Sequence, residues 1–270
     1  MRETPSPHGR VSRAARLLTN ARRSVDQLVS LEDLTPTTIE EAYAIADAHA
    51  EQLEWTTVGW KVGCTSDKAR KILNSPGPFA GRIFDGTVYP PYLSKPLHSN
   101  AMHEPGLECE FAFFLGDDLP PTTNTYSVAD VKAATTAVAP AIELVSPRFI
   151  DFTGVGYLSL IADSGANGGV VLGELVKTKS CPELSSVTVE LELDGAVVAN
   201  GDGSAILGDP WASLQWLANH LSDREIGLHA GEFVLSGTCT GITSLPTESA
   251  AVARHEGLGS CEIRRGQGRR

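Results

Sequence analysis

The stretch Leu107-Glu108-Cys109-Glu110-Phe111-Ala112-Phe113-Phe114-Leu115 restricts this chain more than any other. As a strand it puts Leu107, Cys109, Phe111 and Phe113 on one face, and Glu108, Glu110 and Ala112 on the other. Glutamate is a poor strand former, so a Glu-x-Glu pair running straight into an apolar segment sets local preference against burial. Carboxylates at i and i+2 point the same way, roughly 7 Å apart by the strand rise. They repel at a core edge unless something cationic lies between them, and a hard divalent ion bound by oxygen ligands would resolve the conflict. The plainer alternative is an exposed strand face carrying two solvated acids.

The rest of the chain bears on that choice. Val11, Ala14, Ala15, Leu17, Leu18 and Ala21 form the apolar stripe of a first helix. After the cap and turn Thr35-Pro36-Thr37-Thr38, a second helix runs from Ile39 to about Leu53. From Thr57 the texture changes to short apolar runs punctuated by Gly and Pro, which reads as a β-rich body. Its first run, Val58 to Gly63, contains Lys61, either a snorkelling strand residue or a desolvated amine with a lowered pKa. A short helix is expected over 66–72, and Asp85-Gly86 is a turn signal. Val128 to Ala139 predicts a helix capped by Ser127, leading through Pro140 into Ala141-Ile142-Glu143-Leu144-Val145. Glu143 is thus a third acid inside an apolar segment. Asp163 to Gly169 is a Gly-rich turn without the pattern of a phosphate loop.

Val187 to Leu193, Asp194-Gly195 and Val197-Val198 predict a hairpin. Asp209-Pro210 starts a helix that buries Trp211, Leu214, Leu217, Ala218 and Leu221. Gly231 to Thr238 reads as a strand ending in a loop where Ser236 and Thr238 could hydrogen-bond a ligand or simply serve the turn. The Gly/Arg/Gln stretch from Arg264 onward is expected to fray. The expectation is an α+β chain with a helical region at 1–56, a core at 57–265 and a tail at 266–270. A net charge of -11 argues against nucleic acid as a partner. No apolar run approaches the roughly 20 residues needed to span a bilayer, and Met1 to Gly9 lack the apolar stretch of a secretory signal. Five scattered cysteines without a C-x-x-C fit a reducing compartment, and a cytoplasmic location is expected.

Several of these stretches together resemble one family. They are Gly59-Trp60-Lys61-Val62-Gly63, Glu108-x-Glu110, Ile142-Glu143-Leu144-Val145, Asn200-Gly201-x-Gly203 with Leu207-Gly208-x-Pro210, and Trp216-Leu217-Ala218-Asn219-x-Leu221. The ordered set, from about Arg13 to Ile263, is similar to the 2-keto-4-pentenoate hydratase, 2-oxohept-3-enedioate hydratase and 4-oxalocrotonate decarboxylase family of the fumarylacetoacetate hydrolase superfamily. The resemblance implies N-terminal helices followed by a fumarylacetoacetate-hydrolase-like mixed β-roll with a metal site. It implies Mg2+ or Mn2+ on Glu108, Glu110 and Glu143, a catalytic Lys61 and, close to it, an acid matching Asp85. It further implies a small 2-oxo acid substrate and a homo-oligomer, with association to a paralogous decarboxylase or hydratase subunit as a further option.

The expected activity is metal-dependent hydration of a 2-hydroxydienoate or 2-oxoalkenoate in aromatic meta-cleavage catabolism. Alternatives are a 4-oxalocrotonate-type decarboxylase, a C–C hydrolase, for which His103-Glu104 is the candidate pair, and a non-catalytic partner subunit. The chain departs from the family in two places. Asp163-Ser164-Gly165-Ala166 stands where many members have D-N-x-S, which puts Ala166 where a hydroxyl is expected near the substrate. Thr247-Glu248-Ser249-Ala250 stands where a Gly-Asp turn is usual.

Overall fold

The computed structural model describes residues 7–91, 96–97 and 102–267. Helices α1 (Pro7–Ser24) and α2 (Ile39–Leu53) come first, and Thr38 caps α2 by accepting from Glu41 N. Then follow β1 (Thr57–Gly63), α3 (Asp67–Leu73), β2 (Phe79–Phe84), β3 (Val88–Tyr89) and β4 (Gly106–Leu115). The middle of the chain forms α4 (Val128–Ala134), β5 (Thr135–Val145), α5 (Gly156–Ala162), β6 (Asn167–Leu172) and β7 (Val176–Lys177). The last third is β8 (Thr188–Leu193), β9 (Ala196–Asp202), α6 (Pro210–Asp223), β10 (Phe233–Leu235), β11 (Thr243–Ser244), β12 (Ala250–His255) and β13 (Gly259–Arg264).

A curled mixed sheet runs β2-β1-β10-β4-β5-β6-β3, with β11 also on β4 and β7 also on β5. Its β1–β10 and β3–β6 pairs are parallel, and the others are antiparallel. A second, antiparallel sheet runs β13-β12-β8-β9. One apolar core joins the layers: Leu18 of α1, Ile45 of α2, Phe111 and Phe113 of β4, Leu214 of α6 and Leu191 of β8 all belong to it. The N-terminal helices are therefore packed into the body they precede. Tyr43 of α2 accepts from Ala80 N of β2 through its hydroxyl.

The hairpin at Asp194-Gly195 and the helix begun by Asp209-Pro210 form as the sequence suggests, with Asp209 accepting from Trp211 N. The helix expected through Ala139 does not. α4 stops at Ala134, and β-branched Thr135 opens the long strand β5, which takes in Pro140. Ladder pairing with β4 outweighs the weak local helical preference there. At the C-terminus, Arg264 ends β13 and Arg265 is buried, donating to Leu245 O, so these two residues do not fray. Residues 268–270 of the expected tail lie outside the described residues. No helix among the described residues is long and apolar enough to cross a membrane.

Candidate active site

The β4–β5 register sets Glu108 directly opposite Glu143, and the two-residue strand period brings Glu110 onto the same face. One carboxylate oxygen from each of the three lies within 4.8 Å of the others. Opposed like charges on a sheet are destabilising, so this arrangement calls for positive charge. Part of it comes from β1, where curling of the sheet brings Lys61 Nζ to 3.1 Å from Glu143 Oε2. The ammonium also donates to Gly165 O at 3.1 Å. Lys61 is 4% exposed, Glu110 and Glu143 are fully buried, and Glu108 is half-buried.

The surrounding donors hold two of the carboxylates in place. Asn167 Nδ2 donates to Glu143 Oε1 at 2.9 Å, and Gly237 N donates to Glu110 Oε2 at 2.7 Å. Among the described residues nothing hydrogen-bonds the buried Glu110 Oε1. One ammonium facing three carboxylates, with one buried oxygen unpartnered, is a donor set that suits a hard divalent cation. The electrostatics agree. Burial, with Glu143 nearby and against the pull of Lys61, pushes the Glu108 carboxyl up to about 7. Burial and the charges of Glu143 and Glu108 hold Glu110 well above the usual carboxylate range.

Lys61 corrects one expectation. Burial pushes its ammonium down, but Glu143, Glu108 and Glu110 outweigh burial and leave its pKa above that of an ordinary lysine. The carboxylates thus favour the charged ammonium, and the lysine is buried, so it is neither of the two forms offered by the sequence, a snorkelling strand residue or an amine with a lowered pKa. Divalent-cation binding must displace the proton that Glu108 retains below about pH 7 and the one that burial and its neighbours' charges favour on Glu110. Magnesium affinity is therefore expected to fall as pH drops from 8 to 5.5, by up to about tenfold per pH unit for each proton displaced. Calorimetric titration at the two pH values checks this, and a pH-independent affinity would contradict it.

Other expected site residues fall in different places. Asp85 is exposed at the end of β2, where its carboxylate accepts from Gly86 N as an ordinary turn residue. Lys61 pairs with Gly81, so Asp85 lies four residues along the strand, roughly 13 Å away by the strand rise. The structure does not bring it to the carboxylates. Ser236 is buried with its hydroxyl spent on the backbone, accepting from Phe111 N and donating to Gly237 O. Thr238 lines a pocket of about 80 Å³ together with Lys61, Glu108 and Ala166. Its hydroxyl accepts from Thr240 N and Gly241 N, so it also serves the turn. His103 and Glu104 line a neighbouring outer cleft, not this pocket.

The sequence shows the loop 163–169 as a Gly-rich turn near the site but not the clamp on Arg148 that shapes it. Asp163, fully buried, accepts from Arg148 N and Arg148 Nε, and Arg148 also donates to Asp163 O and Asn167 O. This clamp shapes residues 163–167, where Gly165 has φ +68°. A Cβ on Gly165 would meet Lys61 Cδ at 2.8 Å. Gly165→Ala is expected to displace the lysine and lower turnover about tenfold or more, with roughly 1–2 kcal/mol of destabilisation from the left-handed backbone. Steady-state kinetics and thermal melting check both parts.

Comparison with known proteins gives a consistent picture. The family profile described as fumarylacetoacetate (FAA) hydrolase C-terminal matches residues 84–265. The chain is 31% identical over 251 residues to a 2-keto-4-pentenoate hydratase of Paraburkholderia xenovorans (strain LB400), covering 92% of this chain and 91% of that one. It is also 31% identical over 254 residues to a 2-hydroxyhexa-2,4-dienoate hydratase of Comamonas testosteroni, covering 91% and 94%. In structure it is similar to a 4-oxalocrotonate decarboxylase from Pseudomonas putida G7 complexed with magnesium and adipate. That match has a TM-score of 0.88 at 25% identity, covering 97% of this chain and 98% of that one.

Proposed function

The chain belongs to the fumarylacetoacetate hydrolase family, and from that premise we propose that it hydrates a 2-hydroxydienoate of the 2-keto-4-pentenoate type, as an enzyme of aromatic meta-cleavage catabolism. The observation that carries this reading is the Lys61 ammonium, buried against three converging carboxylates at the end of a narrow pocket. Glu108, Glu110 and Glu143 would hold Mg2+ or Mn2+, since both accept hard oxygen ligands. When bound, such an ion supplies Lewis-acid polarisation of a 2-oxo acid.

The chain's own groups account for the proton movements. Lys61, held charged by the carboxylates, would give a proton to the far carbon of the dienol while the 2-hydroxyl releases its own proton to solvent, converting the dienol to the conjugated enone. The amine left behind is the base for the water that adds at the β-carbon of that enone, and the carbon next to the carbonyl takes up a proton from solvent in place of the one the 2-hydroxyl released. Asn167 and Gly237 keep their carboxylates oriented, and Gly165 O aims the lysine. Thr238 stays in this reading as a wall of the substrate pocket, whereas Asp85 and Ser236 have no part in it. The 57–265 body carries the chemistry and the 1–56 helices buttress it. Unpaired cysteines suit a cytoplasmic location, and exposed Val197 and Val198 on β9, at the edge of the second sheet, suit a homo-oligomer.

The test is ultraviolet turnover of freshly generated 2-hydroxypenta-2,4-dienoate with magnesium, with manganese and with chelator. Metal-dependent loss of the conjugated chromophore, with 4-hydroxy-2-oxopentanoate formed, is expected. The structural likeness to a decarboxylase favours one second reading. Carbon dioxide released from 4-oxalocrotonate, with no hydration of the dienoate, would establish it instead.

A further inference from the structure

Resting on the reading of the site as a 2-oxo acid pocket, we propose that this chain selects substrates whose far end is a hydrocarbon group, and that Leu73, Phe152 and Ile242 set this preference. The pocket extends from Lys61 and Glu108 between α3, α5 and the loop after β10. Beyond those two residues its wall includes Ala69, Leu73, Val145, Phe152, Leu160 and Ile242. Among the described residues lining it, Lys61 and Glu108 are the only charged ones. The charge of Lys61 is already shared with the carboxylate cluster through Glu143, and a second substrate carboxylate finds no further cation among the described residues lining the pocket.

The way outward keeps an apolar side. Val145, Phe152 and Ile242 are shared with an outer cleft of about 460 Å³, which adds Ile150 and the polar Gln27, His103, Glu104 and Ser244. An alkyl or aryl group leaving the pocket covers the apolar side of that cleft, whereas a carboxylate there has Glu104 as a like-charged neighbour. Ile242 is 48% exposed and Ile150 65% exposed, so part of this apolar surface is left open by folding and is available to a ligand. Ile242 reaches its place because Gly106 has no side chain: a Cβ there would come within 2.4 Å of Ile242 Cγ2. Arg70 of α3 is an arginine close by in sequence, but it is directed onto Cys64 O and paired with Asp67.

Binding of unreactive 2-oxo acids to the protein with magnesium, measured by calorimetry, tests this separately from turnover. 2-Oxohexanoate is expected to bind about tenfold or more tightly than 2-oxobutanoate, as two further buried methylenes at about fourfold each require. 2-Oxoadipate, which has the same six carbons and a second carboxylate, is expected to bind at least tenfold more weakly than 2-oxohexanoate. Ile242→Lys is expected to reverse that order. Equal or tighter binding of 2-oxoadipate by the natural chain overturns the proposal, and loss of that binding in Arg70→Gln would name the cation responsible. An unchanged order in Ile242→Lys overturns the role of Ile242. Failure of all three acids to bind overturns the 2-oxo acid site itself, and the proposal with it.

Discussion

Lys61→Met is expected to lower turnover by roughly 10² to 10⁴, the usual worth of a positioned acid–base group. The same substitution is expected to tighten magnesium, by about tenfold, because it removes a cation that competes for the same carboxylates. That combination is the signature of the proposed role. A ligand variant behaves in the opposite way: Glu108→Gln loses magnesium affinity and turnover together. Lys61→Arg gives a further control, since a guanidinium keeps the charge beside Glu143 but does not release a proton at ordinary pH. It should restore thermal stability relative to Lys61→Met without restoring rate. Near-normal turnover in Lys61→Met would remove the lysine from the mechanism, and weakened magnesium binding would show that its role is to organise the carboxylates.

Asp163→Ala is expected to destabilise the protein by about 3–5 kcal/mol, the cost of leaving one partner of a buried ion pair uncompensated. Arg148 would be left buried next to Arg22, whose guanidinium burial and Arg148 already push down to about 9. At this chain length the loss corresponds to a fall in melting temperature of roughly 10 °C. The paired variant Arg148→Met with Asp163→Leu removes both charges and is expected to recover most of that stability. It should not recover activity, because residues 163–167 would lose the clamp that presents Gly165 O to Lys61. Unchanged melting in Asp163→Ala would contradict the clamp, and full activity in the paired variant would show that Gly165 needs no such support.

The carboxylate site was legible because it violates local preference. Three glutamates stand inside apolar strand segments, where neither propensity nor burial accounts for them, and β4–β5 pairing brings them to one point. Lys61 was visible by a similar contradiction, a charge between apolar residues and glycines. Asp85 illustrates the opposite case. Its Asp-Gly dipeptide explains itself as a turn, and it is a turn in the structure. Ser236 and Thr238 share the loop after β10 and both spend their hydroxyls on the backbone, but only Thr238 lines the pocket. Arg148 gave no signal, and although Asp163 and Asn167 belong to a turn the sequence marks, nothing local shows that Arg148 clamps them.

By itself, then, the sequence determined the helical start, the β-rich body, the hairpin at Asp194-Gly195 and the set of acids that had to find a cation. These follow from short-range periodicity and turn chemistry, which the chain carries locally. Tertiary structure decided the protonation of Lys61, the clamp that aims it, the end of α4 at Ala134 and the apolar way out past Ile242. Each of these depends on which distant segments meet: the charge state of a buried lysine is set by its neighbours' charges, and a strand prevails over a helix when a partner such as β4 lies ready to pair with it.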